Sequence, residues 1–257
     1  MTQIHELVSY LDELLQTKAT PDYAVALNGL QLENRGEIKG IASAVDFSTR
    51  AIQGAIEAGA NLLIVHHGMF WGGFDQFRGP SYRRLRLLLE HDIAVYSSHL
   101  PLDRHPDFGN NVLLARELGL KPTGTFAKYD TIFIGLSGES DVETSTIVEK
   151  AKSFASTYAS EVRVTSLPKN RRTKRWAICS GAGASSETLK EAAETSIDTL
   201  IVGEGPHHTA VQAEENEIAI IYAGHYATET MGVRALADHL GDRYTIPATF
   251  VNAPTGL

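Results

Sequence analysis

Apolar residues follow two patterns along the chain, short runs rich in isoleucine and valine and longer stretches with helical spacing. The short runs predict seven clear strands. These are Ile41–Val45, Leu62–Val65, Ile93–Ser97, Thr131–Ile134, Trp176–Cys179, Leu200–Val202 and Ile218–Tyr222. The intervening stretches predict helices, among them Ser48–Ala58, Tyr82–His91, Asn111–Leu118, Val142–Tyr158 and Ser186–Thr195. The alternation predicts an α/β protein whose sheets have helices packed on them.

The beginning of the chain carries no targeting pattern. Ile4, Leu7, Leu11 and Leu15 share one stripe, which predicts an amphipathic helix rather than a signal peptide. No run of 18 apolar residues occurs, so no membrane span is expected. Cys179 is the only cysteine, which fits a reducing compartment, and we expect a cytoplasmic protein.

The charge balance argues against a general nucleic-acid partner. The formal net charge is −8 with a pI near 5.7, whereas affinity for a phosphate backbone requires a basic surface. One local exception is the basic stretch 169–175, which we interpret as a solvated turn before the strand Trp176–Cys179.

The two halves of the sequence resemble each other. The run 61–65 aligns with 198–202, and each is followed by a glycine-bearing loop. One element later, residues 93–99 align with 219–225, and a carboxylate follows four residues after the final histidine in both. Strands rich in isoleucine and valine align readily by chance, but the shared histidine and carboxylate do not follow from that. We therefore predict an internal duplication, with halves at 1–125 and 126–257.

Histidines and carboxylates gather after four predicted strands. These positions are His66/His67, His99/Asp103, Glu204/His207/His208 and His225/Glu229. Functional groups collect at the carboxyl ends of strands in open α/β sheets. Imidazole mixed with carboxylate suits zinc, iron or manganese, whereas carboxylates alone would indicate magnesium or calcium.

The adjacent histidines favour a pair of ions. We place His66 and His67 at the last strand residue and the first turn residue, where strict alternation of faces is relaxed, so that each imidazole binds its own ion. A carboxylate from the other half would then bridge the ions. A mononuclear site is the alternative, but it would leave several polar groups without a role.

Several motifs together resemble one known family, the Nif-three-like family, also called the GTP cyclohydrolase type-two homologue family. They cover essentially the whole chain and are specific in combination. The matching segments are 28–31, 65–71, 99–106, 109–111, 203–204, 208–210 and 224–229.

The resemblance implies two interlinked, similar α/β halves with a dinuclear metal site in the cleft between them, and assembly into a toroidal homohexamer. It also implies roles for individual residues. His67 and Asp103 would hold one ion, His66 and His225 the other, and Glu229 would bridge them. His99 and His208 would lie near the ions as catalytic groups, and Asn28 would lie beside the site. The direct connection 124–130 between the halves marks the short form of the family.

Two functions remain open at this stage. The first is a metal-dependent hydrolase acting on a small polar molecule, with the family label suggesting GTP. The sequence has no phosphate-binding loop of the Gly-x-x-x-x-Gly-Lys-Ser/Thr type, so GTP itself has little independent support. The second is a non-catalytic ring that binds or delivers metal, or acts as a scaffold. The aromatic loop 69–74 fits either a pocket wall beside His66 and His67 or a contact between subunits.

Overall fold

The computed structural model of the chain describes residues 2–74, 76–166 and 168–256. The chain forms two compact units. Unit 1 comprises Met1–Leu102 and Gly232–Ala253, and unit 2 comprises Asp103–Met231 and Pro254–Leu257. None of the helices in the described ranges combines the length and the apolar character needed to cross a membrane.

Unit 1 is built around a mixed five-stranded sheet. Its elements in chain order are β1 (Thr2–Gln3), α1 (Ile4–Leu14), β2 (Gly29–Leu32), β3 (Glu37–Ile38), β4 (Ile41–Asp46), α2 (Thr49–Glu57), β5 (Leu62–His67), α3 (Gly79–Glu90), β6 (Ala94–Ser97) and, near the end of the chain, β13 (Ala248–Phe250). Helix α4 (Leu100–Asp103) follows β6 and ends on the first residue of unit 2.

The central strands of unit 1 are parallel and buried. The sheet order is β13-β4-β5-β6-β2, with β2 antiparallel to β6 and the other neighbours parallel. All six residues of β5 are buried, as expected for a strand covered on both faces. Helix α2 begins after Ser48, whose side chain accepts a hydrogen bond from the amide of Ala51. The carboxyl ends of β5 and β6 therefore lie side by side on a rigid core.

Unit 2 contains the remaining elements. In chain order they are α5 (Asn110–Leu118), β7 (Gly124–Tyr129), β8 (Ile132–Glu143), α6 (Thr144–Ser156), β9 (Arg163–Val164), β10 (Arg172–Cys179), α7 (Ser186–Glu194), β11 (Thr199–Val202), α8 (His207–Glu215), β12 (Ala219–Tyr222) and α9 (His225–Tyr244). Residues 225–231 of α9 belong to unit 2, and the rest of that helix belongs to unit 1.

The sheet of unit 2 also has a parallel centre. Its order is β7-β8-β10-β11-β12-β9, with β10, β11 and β12 parallel and β9 antiparallel to β12. One face packs against α5 and α6 around the fully buried Trp176, and the other packs against α7 and α8 around Leu200. The carboxyl ends of β10, β11 and β12 thus form one edge.

Three strand predictions need correction. Strand β5 continues through both His66 and His67, so neither is a turn residue. Strand β10 begins at Arg172, and the basic stretch is therefore largely strand rather than turn. The connection 124–130 is mostly β7, which forms an antiparallel hairpin with the 12-residue β8. Strand β7 lies at the edge of its sheet and the first half of β10 is rich in basic residues, so neither has the continuous apolar run on which the predictions relied.

The helix predictions were accurate to within a few residues. α2, α5 and α7 match their predicted ranges within one residue at either end. α6 begins two residues late because Val142 and Glu143 end β8. α3 begins three residues early, at Gly79, with Pro80 in its first turn, where a missing amide proton costs nothing.

Candidate metal centre

Three buried histidines meet at the carboxyl ends of β5 and β6 in unit 1. His66 and His67 are the last two residues of β5, and His99 lies two residues beyond β6. Each side chain can offer a ligand atom, and these three atoms all lie within 4.8 Å of one another. The ring centroid of His66 is 4.9 Å from that of His67 and 4.8 Å from that of His99. The cluster has the residue types and spacing of a metal-binding group.

Each of these imidazoles uses Nδ1 in a hydrogen bond to an oxygen 2.9 Å away. The pairs are His66 with the carbonyl oxygen of Ser98, His67 with Oδ1 of Asp46, and His99 with Oδ1 of Asp22. A carbonyl or carboxylate oxygen only accepts, so Nδ1 carries the proton and the lone pair of the neutral ring is on Nε2. Metal-bound histidines are characteristically held in this way through their other nitrogen.

Asp22 is a buried carboxylate that sequence reasoning missed. Its side chain is 5% exposed and accepts hydrogen bonds from the amide of Leu100 and from Nδ2 of Asn28, besides that from His99. Asn28 in turn accepts from the amide of His99. Burial raises the pKa of Asp22, but the hydrogen bond and charge of His99 and the bonds from Asn28 and Leu100 together hold it below its usual value. A charged Asp22 therefore fixes the His99 ring.

Asp46 performs the same role for His67 at the end of β4. The two residues are register partners on neighbouring parallel strands. The Asp46 side chain is 39% exposed, so solvent screens this contact more than the contact between Asp22 and His99. The sequence did offer a signal for Asp46. It directly follows the apolar run of β4 and so marks a third strand end at this edge of the sheet.

Trp71 from the aromatic loop covers the histidines. Its ring centroid lies 4.4 Å from that of His67 and 4.5 Å from that of His99. Tyr23 adds a second ring, 5.8 Å from His99. Trp71 therefore forms a wall beside His67 and His99, which is one of the two roles predicted for the loop 69–74.

Unit 2 places one histidine between two carboxylates. His225, the first residue of α9, has Nδ1 2.7 Å from Oε1 of Glu204 and Nε2 3.1 Å from Oε2 of Glu229. Glu229 is one helical turn further on and 3% exposed. Burial lowers the pKa of His225, but the charges of Glu229 and Glu204 and their hydrogen bonds outweigh it and raise the pKa to about 9.

Asp103 and Glu229 flank the end of β10. Asp103 accepts hydrogen bonds from Nδ2 of Asn110 at 2.8 Å and from Oγ of Ser180 at 3.2 Å. The next residue, Gly181, has φ +60°, and a Cβ there would overlap Oε1 of Glu229. Burial and both carboxylates raise the pKa of the Cys179 thiol, which precedes this loop. Sequence reasoning missed Gly181, although the run 180–184 after a buried strand is glycine-rich.

His208 occupies a different kind of position. It is exposed at the second residue of α8, and its Nε2 lies 3.5 Å from Oγ of Ser186. His207 beside it is also exposed. The predicted role of His208 in catalysis stays a prediction.

The donor sets of the two units suit a divalent cation. Unit 1 presents imidazole nitrogens with their orientation fixed, and unit 2 presents imidazole and carboxylate together. Mixed nitrogen and oxygen donors are the preferred ligands of zinc, iron and manganese. Buried His and Glu side chains in this protein are thus able to bind metal.

Comparisons with known proteins agree along the full length of the chain. The family model described as Duf34/NIF3 (NGG1p interacting factor 3) matches residues 2–255. A protein of Pyrococcus horikoshii named GTP cyclohydrolase 1 type 2 homolog is 40% identical over 98% of this chain and 98% of its own length. One of the same name from Deinococcus radiodurans is 38% identical over 98% of this chain and 94% of its own length.

The solved structures agree with the sequence comparison. The structure described as protein ybgI, of unknown function, superposes with a TM-score of 0.89 at 32% identity and covers all of both chains. Similarity of both fold and sequence therefore extends over the whole length. This chain belongs to the Duf34/NIF3 family.

Proposed function

We propose that this protein binds two divalent metal ions and acts as a metal-dependent hydrolase on a small polar substrate. The observation that carries the proposal is the use of Nδ1. His66 and His67 each commit Nδ1 to an oxygen acceptor, which favours Nε2 as the coordinating atom. His225 likewise pairs Nδ1 with Glu204, and its Nε2 faces the carboxylate of Glu229, where a shared cation would take the place of the proton.

The proposal assigns ligands as the family resemblance implies. His67 and Asp103 would hold one ion, His66 and His225 would hold the other, and Glu229 would serve both. The parallel three-strand centres of both units support the predicted duplication of halves 1–125 and 126–257, because each unit ends its second and third central strands in polar groups. Zinc, iron and manganese all fit these donors.

Divalent ions held there would supply Lewis-acid chemistry and a water activated for hydrolysis. The chain's own residues do the rest. Asp22 accepts the hydrogen bond from Nδ1 of His99 and so orients the ring, with Nε2 proposed to accept and return a proton. Trp71 and Tyr23 exclude water from one side of the histidines. His208, exposed on α8, is proposed as a substrate contact or second proton carrier.

The substrate is proposed as a small polar molecule rather than GTP specifically. The relatives carry the name GTP cyclohydrolase 1 type 2 homolog, and that name makes a guanine nucleotide one member of the test panel. The pocket beside Glu204 in unit 2 is lined by Arg163, His207 and Tyr222 and has a volume of about 360 Å³. Its mixed charge favours a polar ligand over an apolar one.

Metal analysis tests the binding part of the proposal. Protein purified without added ions is expected to contain close to two ions per chain. A variant with Asp103→Ala and His225→Ala together should lose most of this metal, whereas His5→Ala, which alters an exposed residue of α1, should retain it. One ion or none in the wild type would contradict the bridging role of Glu229.

Turnover tests the catalytic part. The metal-loaded wild type and the double variant are incubated with nucleotides including GTP, phosphoesters and cyclic amides. Turnover by the wild type alone supports the hydrolase. Intact metal content without turnover on any compound supports the alternative, a non-catalytic metal-binding scaffold or metal-delivery protein.

The proposal includes a cytoplasmic homohexamer arranged as a ring, as the family resemblance implies. Light scattering on the eluting protein should give the mass of six 28.0 kDa chains. A monomer or dimer at micromolar concentration would rule out the ring.

A further inference from the structure

The loop after β5 has two faces with different neighbours. Trp71 lies against His67 and His99. Its neighbour Phe70 instead lines a separate cavity, where its ring centroid is 5.1 Å from that of Phe74. The cavity belongs to unit 1 and contains none of the candidate metal ligands in its lining.

Four of the ten described residues that line this cavity are phenylalanines. Phe47, Phe70, Phe74 and Phe77 contribute rings, and Ser81 and Arg84 of α3 complete one side. Its volume of about 350 Å³ lies within the range of small-molecule sites, roughly 300–1,000 Å³. Phe74 is 73% exposed and Phe77 is 54% exposed, an unusual density of phenylalanine at a surface. The cavity can therefore bury a flat apolar group.

Arg84 gives the cavity a charge. Its guanidinium carbon lies 5.3 Å from the centre of the Phe47 ring. Its Nε is buried and has no hydrogen-bond partner among the described residues. Since Nε is closed off from solvent, an anionic ligand in the cavity would pair with the terminal nitrogens of the guanidinium.

We infer that this cavity binds a small aromatic carboxylate, with its ring among the phenylalanines and its carboxylate paired with the guanidinium of Arg84. The aromatic walls select a planar apolar body, and the guanidinium selects a negative head group. Because the protein as a whole has a net charge of −8, a cation inside an aromatic cavity is a local specificity element rather than a general attraction for anions. The inference is independent of the proposed hydrolase.

Calorimetric titration with three probes of similar shape tests it, using the intact protein in its native assembly. The probes are 1-naphthoate, neutral 1-naphthalenemethanol and cationic 1-naphthylmethylammonium. Naphthoate is expected to bind one per chain and tighter than the other two. Arg84→Gln should weaken naphthoate about tenfold or more, the size of a charge-assisted hydrogen bond, and leave the neutral probe unchanged.

Matched variants separate the contributions. Arg83→Gln removes an exposed neighbouring charge outside the cavity lining and should change nothing. Phe74→Ser, at a position exposed enough to spare the fold, should weaken all three probes alike. Arg84→Lys keeps the charge and should retain more of the naphthoate affinity than Arg84→Gln, which also shows that the site survives substitution.

Three results would overturn the inference. The first is absence of saturable naphthoate binding to the intact protein, including the case in which another copy covers the cavity. The second is equal weakening of charged and neutral probes by Arg84→Gln. The third is loss of naphthoate binding when a chelator strips the protein of metal, because the carboxylate would then be binding the ions and not Arg84.

Discussion

Unit 1 and unit 2 use a similar arrangement of parallel strands to present different groups, three histidines in unit 1 and one histidine between two carboxylates in unit 2. In unit 1, β5 and β6 lead to three histidines, and the carboxylates of Asp22 and Asp46 lie behind the rings. In unit 2, β11 and β12 lead to Glu204 and His225, with Glu229 one turn later. The scaffold fixes where the groups lie, and the loop residues decide their charge.

The two groups differ in how their polar atoms are satisfied. In unit 1 each of the three imidazoles has its Nδ1 hydrogen-bonded to an oxygen. Two carboxylates converging on His225 instead retain a proton on that ring, with its pKa raised to about 9. A divalent ion would replace this proton, so the carboxylate-rich group has the stronger need for a cation.

The largest expected effect comes from Gly181→Ala. A methyl group there would displace the buried Glu229 carboxylate, and breaking a buried charged pair costs about 3–5 kcal/mol. Unfolding by urea should show this loss, and metal analysis should show reduced metal content.

Gly59→Ala is the control for Gly181→Ala. Gly59 has φ +66°, and an added methyl group would meet nothing within 4 Å, so this variant reports backbone strain alone, about 1–2 kcal/mol. Equal destabilisation by the two variants would contradict a tight arrangement around Glu229.

The pH dependence of metal-free protein should reveal the proton on His225. Its folded pKa of about 9 lies above the ordinary 6.5, so the protonated ring stabilises the fold fully below pH 6.5, and this stabilisation is lost as pH rises through 9. At about 1.4 kcal/mol per pKa unit, the contribution is at most about 3 kcal/mol.

Chemical unfolding at a series of pH values measures this contribution. The difference in stability between wild type and His225→Asn should shrink between pH 6.5 and 9.5 in chelator-treated samples. His5→Asn, at an exposed position, should differ from wild type by the same amount throughout. If the stability difference between wild type and His225→Asn does not change with pH, the proposed pairing of protonated His225 with Glu204 and Glu229 is wrong.

Smaller effects are expected from the carboxylates behind the rings. Asp22→Asn should weaken metal binding about 10–100-fold, because partners of this kind orient the ligand and raise its basicity. Asp46→Asn should cost less, since that side chain is 39% exposed and its contact is screened by solvent. Competition with a fluorescent chelator measures both, and a reversed order would show that burial does not govern their importance.

The sequence predicted the positions that depend on local pattern. His225 and Glu229 were expected to share a helical face, and both lie on α9. His66 and His67 were expected at the end of an apolar strand, and the structure makes them its last two residues. Asp22 was out of reach because it lies in a loop 77 residues from His99, and no periodicity links the two. Gly181 could not be predicted either, because its role is to leave room for the Glu229 side chain, and that contact exists only in the folded protein.

The fold shows the same limit. Buried strands such as β5 and β11 were predicted because continuous apolar runs mark them. Strand β7 and the first half of β10 were missed, since Thr125, Lys128 and Arg172 face solvent and carry no apolar signal. These two segments form strands because they pair with β8, a contact between segments that local sequence does not reveal.

Anomalous diffraction from crystals of the metal-loaded protein tests the role of the histidines most directly. We predict two ions per chain, with Nε2 of His66, His67 and His225 about 2.0–2.1 Å from a metal and every Nδ1 hydrogen bond intact. Absence of metal at these residues, or coordination through Nδ1 with loss of the bonds to Ser98, Asp46 and Glu204, would contradict it.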